Sequence, residues 1–349
     1  MKLTKMFIGI PIIMLGFTIA DAQVVADLVA APEIPAGSAF APHTPAGVAI
    51  VGTNIWVGDA AQGFRHYVPV DPNNADPINS GQLEFDTNPS FSVGGGSCFL
   101  FCSVGGVAQD GNARVYIAVY DHAKGQPFAP AGGGVYMLPF LSTFNFGAFE
   151  GLNTVAPGLG LSGDQPTALA LGPDGKLYVG FLKNGNIKRV TNPSQINPTA
   201  QTQTVESVGT TPNGRSIRAM AFLGPDLYIA TDQGLSVVHN ATTCIGNQGG
   251  CGNAVIVQDG HVGAAHVGLT SDGVGKVYFS VAGSVFRYSP AANNIVPISA
   301  GFLFVDGHTN TLSLDGFGNL WIGDDPGGGE VNFSGRLWRI PATRLASIL

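Results

Sequence analysis

One pattern recurs six times along this chain, and few folds can use a unit of its length. Its clearest copy runs Pro166-Thr-Ala-Leu-Ala-Leu-Gly-Pro-Asp-Gly-Lys-Leu-Tyr-Val-Gly180 and continues as Gly185-Asn-Ile-Lys-Arg-Val190. The alternation of apolar residues reads as a strand, Pro-Asp-Gly as a tight turn, Leu-Tyr-Val as a second strand, and the segment after Gly185 as a third. A late copy, Thr311-Leu-Ser-Leu-Asp-Gly-Phe-Gly-Asn-Leu-Trp-Ile-Gly-Asp324 with Gly335-Arg-Leu-Trp-Arg-Ile340, repeats each step. Aligned on the aromatic of the second strand, the copies mark Trp56, Tyr116, Tyr178, Tyr228, Tyr278 and Trp321, which stand 60, 62, 50, 50 and 43 residues apart. A glycine opens each third strand: Gly63, Gly134, Gly185, Gly234, Gly283 and Gly335.

A repeated unit of three or four strands cannot bury both of its faces alone, so the copies must stack on one another. Solenoid repeats are shorter and more even than these. The expectation is therefore an all-β, six-bladed β-propeller of four-stranded antiparallel blades spanning residues 23–349 as one domain. The fourth strands fall at Gln82–Asp86, Glu150–Val155, Gln203–Val208, Ala254–Gln258 and Ile295–Ser299. The last copy lacks one apart from a short Arg344–Leu349. A ring must close so that no edge is left over, and Gln23–Val29 is expected to supply the closing strand beside the C-terminal one. Composition agrees: charged residues make up only 11% of the chain, against about 25% in ordinary globular proteins, and 50 glycines and 23 prolines leave little room for long helices.

The first 22 residues have the form of a cleaved signal peptide. Lys2 and Lys5 form a charged start, an apolar run extends from Met6 to Ile19, and Ala20-Asp21-Ala22 ends it with small residues. The run is too short and too broken by Pro11 to span a bilayer. A periplasmic or extracellular location follows as an expectation. The four cysteines fit it as two close pairs, Cys98–Cys102 and Cys244–Cys251, expected to be local disulfides. The net charge of −7 argues against nucleic acid as a partner. No further span is expected in the mature chain, and a monomer is the expected state.

The unit at 166–180, with its weaker copies from Pro42 to Ile340, resembles the NHL-repeat and gluconolactonase-like six-bladed propellers. That resemblance implies the fold. It does not choose a function, because the superfamily holds lactonases, an amidating lyase and binding scaffolds without catalysis. The lactonase-like members use an acidic residue with an Asn and an Asp around a divalent cation, and the early acidic motif has no clear counterpart here.

Loop lengths show where the scaffold is elaborated. From the aromatic to the glycine the six intervals are 7, 18, 7, 6, 5 and 14 residues, so blades 2 and 6 carry insertions at 121–133 and 324–334. These blades flank blade 1, and the insertions hold Asp121 and His122 on one side and Asp324, Asp325 and Glu330 on the other. Long loops on a rigid frame are where binding sites are built. Arg218, on the innermost strand of blade 4, joins this binding rim as a candidate anion contact. His43, His266 and His308, with Asn310, fall at innermost strands and are candidate ligands for a divalent metal, calcium or zinc, at the central channel. No nucleophile elbow, phosphate loop or flavin fingerprint is present. Two functions follow: a binding scaffold acting through the enlarged rim, and a metal-dependent hydrolase or lyase acting through the channel. The sequence leaves open whether the protein is an enzyme.

Overall fold

The structure, a computed structural model, describes residues 27–30, 45–51, 54–59, 63–69, 83–85, 102–110, 114–121, 134–138, 153–157, 165–193, 204–244, 252–259, 268–281, 284–299, 309–324 and 336–348. After β1 (Asp27–Ala30) the strands come in sets. Sheet 1 is β2 (Pro45–Val51), β3 (Asn54–Asp59), β4 (Gly63–Pro69) and β5 (Leu83–Phe85). Sheet 2 is β6 (Cys102–Gln109), β7 (Val115–Asp121), β8 (Gly134–Leu138) and β9 (Asn153–Pro157). Sheet 3 is β10 (Pro166–Leu171), β11 (Leu177–Phe181), β12 (Asn186–Val190) and β13 (Val205–Thr210). Sheet 4 is β14 (Ile217–Leu223), β15 (Asp226–Thr231), β16 (Gly234–Val238) and β17 (Val255–Asp259). Sheet 5 is β18 (Leu269–Ser271), β19 (Val277–Val281), β20 (Ser284–Ser289) and β21 (Asn294–Ser299). Sheet 6 is β22 (Thr309–Leu314), β23 (Leu320–Asp324) and β24 (Arg336–Ile340), completed on its outer edge by β1.

Every sheet is four-stranded and antiparallel, with its strands in chain order from β2 onward. The expected fourth strands lie within three residues of those observed. One expectation is corrected. Residues after Ile340 do not form a strand but a short helix, α1 (Ala342–Ala346). Pro341 has no N–H to offer a ladder and its φ of −60° leads into a helical turn. Leu345 then packs beside Ile340 in the core. The outer place is left to β1, which pairs with β24 through Asp27 opposite Arg339 and Leu28 opposite Trp338.

The sheets stack face to face in chain order. Apolar residues of one sheet meet those of the next: Val135 with Leu169 and Phe181, Tyr178 with Ile217 and Met220, Tyr228 with Leu269, and Val285 with Leu312. The sixth sheet meets the first in the same way, through Trp321 and Leu337 against Val48, Ile50, Ile55 and Val57. The first strand of each sheet touches the first strand of the next, and β22 touches β2. Alternating strands buried on both faces explain the apolar composition, since each sheet is covered on two sides.

Two devices recur in several of the units. At the turn between first and second strands an Asp carboxylate accepts backbone N–H groups, as Asx turns do. Asp272 takes those of Val274, Gly275 and Lys276. The same carboxylate reaches the second-strand aromatic: Asp110 accepts from the Tyr116 hydroxyl at 3.3 Å, Asp174 from Tyr178 at 3.2 Å, and Asp315 from Trp321 Nε1 at 2.9 Å. Burial, reinforced by these carboxylates, pushes the Tyr116 and Tyr178 hydroxyls up to about 12. The second device is a cross-strand pair in which the aromatic faces an arginine: Tyr178 with Arg189, Tyr278 with Arg287, and Trp321 with Arg339. Arg287 donates onward to the Ile348 carbonyl at 2.8 Å, joining sheet 5 to the tail of sheet 6.

Asp315 shows what the turn device is worth. Its carboxylate also accepts from Phe317 N, Asn319 N and Asn319 Nδ2, each within 2.9 Å, while the residue is buried. Asp315→Asn keeps the shape but replaces one accepting oxygen with a donor aimed at donors. A loss of about 2 kcal/mol is expected, read by urea unfolding, and a loss within about 0.5 kcal/mol would show that the latch contributes nothing net.

Candidate functional site

In five sheets the first strand starts opposite the end of the second: Pro45 faces Asp59, Cys102 faces Asp121, Pro166 faces Phe181, Ile217 faces Thr231, and Thr309 faces Asp324. We call this end of the sheets the top. The loops from second to third strand leave here, so residues 122–133 and 325–335 both spring from the top, on two sheets that each touch sheet 1.

Within a few residues of the top, the pairing of each of these first strands slips. The slip lies between Pro45 and Gly47, Val104 and Val107, Pro166 and Ala168, Ile217 and Ala219, and Thr309 and Thr311. The residues the ladder skips are therefore Ala46, Gly105 with Gly106, Thr167, Arg218 and Asn310. A bulge bends its strand and re-aims the extra side chain, and bulges cluster at barrel rims and binding sites for that reason. Sheet 5 substitutes a side-chain bond: Ser280 Oγ accepts from Gly268 N at 2.7 Å, and Ser280 N donates to Gly268 O at 3.0 Å. Thr167 Oγ donates to the Ile217 carbonyl at 2.7 Å, stitching the bulge of sheet 3 to that of sheet 4.

Two of the residues singled out from sequence thus share one structural position. Arg218 is the half-buried bulge residue of β14, and Asn310 is the bulge residue of β22. Around Arg218 the connector into β14 is firmly held. Thr211 N donates to the Gly185 carbonyl at 2.8 Å, and Thr211 Oγ to the Arg215 carbonyl at 2.7 Å. This end of sheets 3 and 4 carries Lys183, Arg215, Arg218 and Asp232 in sequence, with Arg215 buried.

Asp324 takes a different role from the rim contact expected of it. It is wholly buried, and Oδ2 accepts from Arg336 Nε at 3.0 Å, Arg336 Nη2 at 2.6 Å and Trp338 Nε1 at 3.4 Å. It anchors the third strand at the root of the loop and does not face a ligand. Asp121 closes β7 opposite Cys102. His43, His122, His266, His308, Asp325, Glu330, Cys98 and Cys251 lie outside the described residues. Among the described residues there is no group of three or more His, Cys, Asp or Glu that could hold a metal, and no free cysteine. Thr167 was missed in the sequence. Its signal was the repeat column itself, since in Pro45-Ala-Gly, Pro166-Thr-Ala, Ile217-Arg-Ala and Thr309-Asn-Thr the bulge residue always precedes a small one.

The stacked sheets, their order and their top-end bulges can be set beside solved structures. The fold is a β-propeller. Across 90% of this chain and 99% of its own, a protein from Thermus thermophilus assigned as an oxidoreductase (glucose dehydrogenase) superposes with a TM-score of 0.56 at 15% identity. The PQQ-bound aldose sugar dehydrogenase of Streptomyces coelicolor matches over 92% of this chain and 99% of its own, with a TM-score of 0.55 and 15% identity. A streptogramin B lyase covers 91% and 97%, with a TM-score of 0.53 and 11% identity. At such identities the likeness is one of fold. No protein-family model and no curated protein matches the sequence. No helix among the described residues of the propeller is long and apolar enough to cross a membrane.

Proposed function

We propose that the mature chain, from Gln23 onward, is an exported single-domain propeller of six blades closed by its two ends, of the NHL-like and gluconolactonase-like kind. It acts as a binding scaffold. Its ligand sits at the top, at the mouth of the central channel, framed by the loops at 122–133 and 325–335. Local disulfides Cys98–Cys102 and Cys244–Cys251 hold two of its loops.

The observation that carries this reading is the recurrence of the bulge. Five innermost strands slip their ladder at the same level, which bends each strand there and re-aims the residue the ladder skips. Two of the five positions carry polar side chains of a recognition type, a guanidinium at Arg218 and an amide at Asn310. Both lie at the end where the loops are longest. Solved propellers of this shape include one with the cofactor PQQ bound, so the fold itself accommodates a ligand.

The test is a library of small carboxylates, sugars and aromatic fragments, followed by amide shifts in the isotope-labelled mature chain. Hits are expected to perturb residues 217–219 and 309–311, and Arg218→Ala with Asn310→Ala is expected to weaken them at least about tenfold, the loss of one or two charge-assisted or amide bonds. Hits that cluster at the opposite end would overturn the reading. So would a stoichiometric divalent metal that is lost on changing His266 and His308 to Ala, which would replace the scaffold by a metal-dependent hydrolase or lyase.

A further inference from the structure

The three residues ahead of Arg218 each have their carbonyl held by a different part of the chain. Arg215 O accepts from Thr211 Oγ at 2.7 Å, Ser216 O from Asp232 N at 3.3 Å, and Ile217 O from Thr167 Oγ at 2.7 Å. Thr211 lies in the connector into β14 and Asp232 directly follows β15, so these two bonds hold the strand to its own sheet. Thr167 does not belong to that sheet. It is the residue skipped by the ladder of β10, and its hydroxyl reaches across from sheet 3.

We propose that Thr167 is a positioning residue of the ligand site: its hydroxyl sets the direction in which the bulge of β14 presents Arg218. The assignment rests on the reading that the ligand sits at the top. A peptide group is planar and trans, so the Ile217 carbonyl and the Arg218 N–H point in opposite directions within one plane. Holding the carbonyl holds that plane, and only rotation about the Arg218 N–Cα bond then remains to place its Cβ. In a regular ladder, pairing would set that rotation as well, but this ladder passes from Ile217 to Ala219 and skips Arg218. A buried hydroxyl already engaged by a carbonyl is not placed to meet a ligand, so Thr167 acts through Arg218.

The donor stands on a rigid base. A Cβ at Gly105 would lie 2.7 Å from the Thr167 carbonyl oxygen and 2.9 Å from its Cα, so the backbone of β6 presses against Thr167 from sheet 2. The acceptor is braced too, since a Cβ at Gly180 would meet Ile217 Cγ2 at 2.5 Å. Sheets 2, 3 and 4 thus touch bulge to bulge, and the hydroxyl of Thr167 is the polar link in that line. Without it the Ile217 carbonyl loses a buried partner, and the peptide plane ahead of Arg218 is free to tilt.

Thr167→Val keeps the shape and removes the donor, whereas Thr167→Ser keeps the donor with one methyl fewer. In the isotope-labelled mature chain, with no ligand added, Thr167→Val is expected to move the Arg218 amide and Nε–H resonances, and Thr167→Ser to leave them near their wild-type positions. The thermal midpoint is expected to fall by no more than about 5 °C. Should Thr167→Val not fold, Thr167→Ala is read in the same way. Fragments that perturb residues 217–219 are expected to bind Thr167→Val at least about fivefold more weakly, and Thr167→Ser within about twofold of wild type. Arg218 resonances that ignore the loss of the hydroxyl overturn the proposal. Fragments that bind Thr167→Val as tightly as wild type overturn it too, and leave the ligand site at the top intact. If no fragment binds at the top while the Arg218 resonances follow the hydroxyl, the positioning role stands and the reading of the top as a ligand site falls.

Discussion

Arg189→Met is expected to cost the folded chain about 3 kcal/mol, more than any surface substitution would. The guanidinium is 2% exposed, and its bonds run to three parts of the structure. Nε donates to Glu206 Oε2 at 2.8 Å, and Nη2 bonds the same oxygen. Nη1 donates to the Tyr178 hydroxyl at 3.3 Å and to the Ala241 carbonyl at 3.1 Å, and Nη2 to the Cys244 carbonyl at 3.1 Å. The group also lies over the Tyr178 ring, 5.7 Å from its centre. The carbonyls belong to the turn after β16, in the neighbouring sheet, so one side chain fastens sheet 3 to sheet 4. Methionine fills similar volume and keeps the contact with the ring, but strands the Cys244 carbonyl and leaves Glu206 without its partner. Glu206 is 24% exposed and can regain water, which holds the loss near 3 kcal/mol, at the low end for a broken buried pair. Lysine is not expected to rescue, since a single ammonium cannot reach three directions in one plane. Urea unfolding measures the difference, and a loss below about 1 kcal/mol would mean that the sheets are held by apolar packing alone.

This arginine was legible as structural from its place at the end of a third strand, and the reason generalises. Whatever recurs in every unit is visible in one sequence, because six copies supply their own alignment. Trp56, Tyr116, Tyr178, Tyr228, Tyr278 and Trp321 all land in second strands, and the fourth strands were found from little more than their spacing. What occurs once is hard to see. The α-helix after Pro341 belongs to the last unit, and the repeat offers only a short Arg344–Leu349 strand at that place. The two long insertions break the repeat and were noticed by length, but length says nothing about which side chains face a ligand. Asp324 illustrates the limit: its type and position suited a rim, whereas the arginine and tryptophan that enclose it, Arg336 and Trp338, become its neighbours only once β24 pairs with β23. Arg218 could be suspected because a charge on an innermost strand is costly without a purpose. That it shares a bulge with Asn310 depends on ladder register, which alternation leaves undetermined by one residue.

Gly106→Ala is expected to destabilise the chain by about 3 kcal/mol, the upper end of what one added methyl does in a packed interior. A Cβ at Gly106 would stand 2.5 Å from Leu169 N and 2.8 Å from Ala168 Cα, and both are backbone atoms of the next sheet that cannot rotate away. β6 has no room to retreat. A Cβ at Gly105 would meet the Thr167 carbonyl oxygen at 2.7 Å, and one at Gly47 would meet Val107 Cγ2 at 2.7 Å, so the strand is hemmed on both sides. The same closeness returns across the circle, where a Cβ at Gly268 would lie 2.6 Å from Leu312 N. Glycine lets these innermost strands approach until only backbone separates them, and a strand in such a circle of contacts displaces its neighbour when it shifts. Gly316→Ala is the control, since nothing stands within 4 Å of its added Cβ and its backbone is not left-handed; a change within about 0.5 kcal/mol is expected there. Should the two variants unfold at the same urea midpoint, the innermost strands have slack between them, and the circle of contacts from β2 round to β22 is not a closed wall.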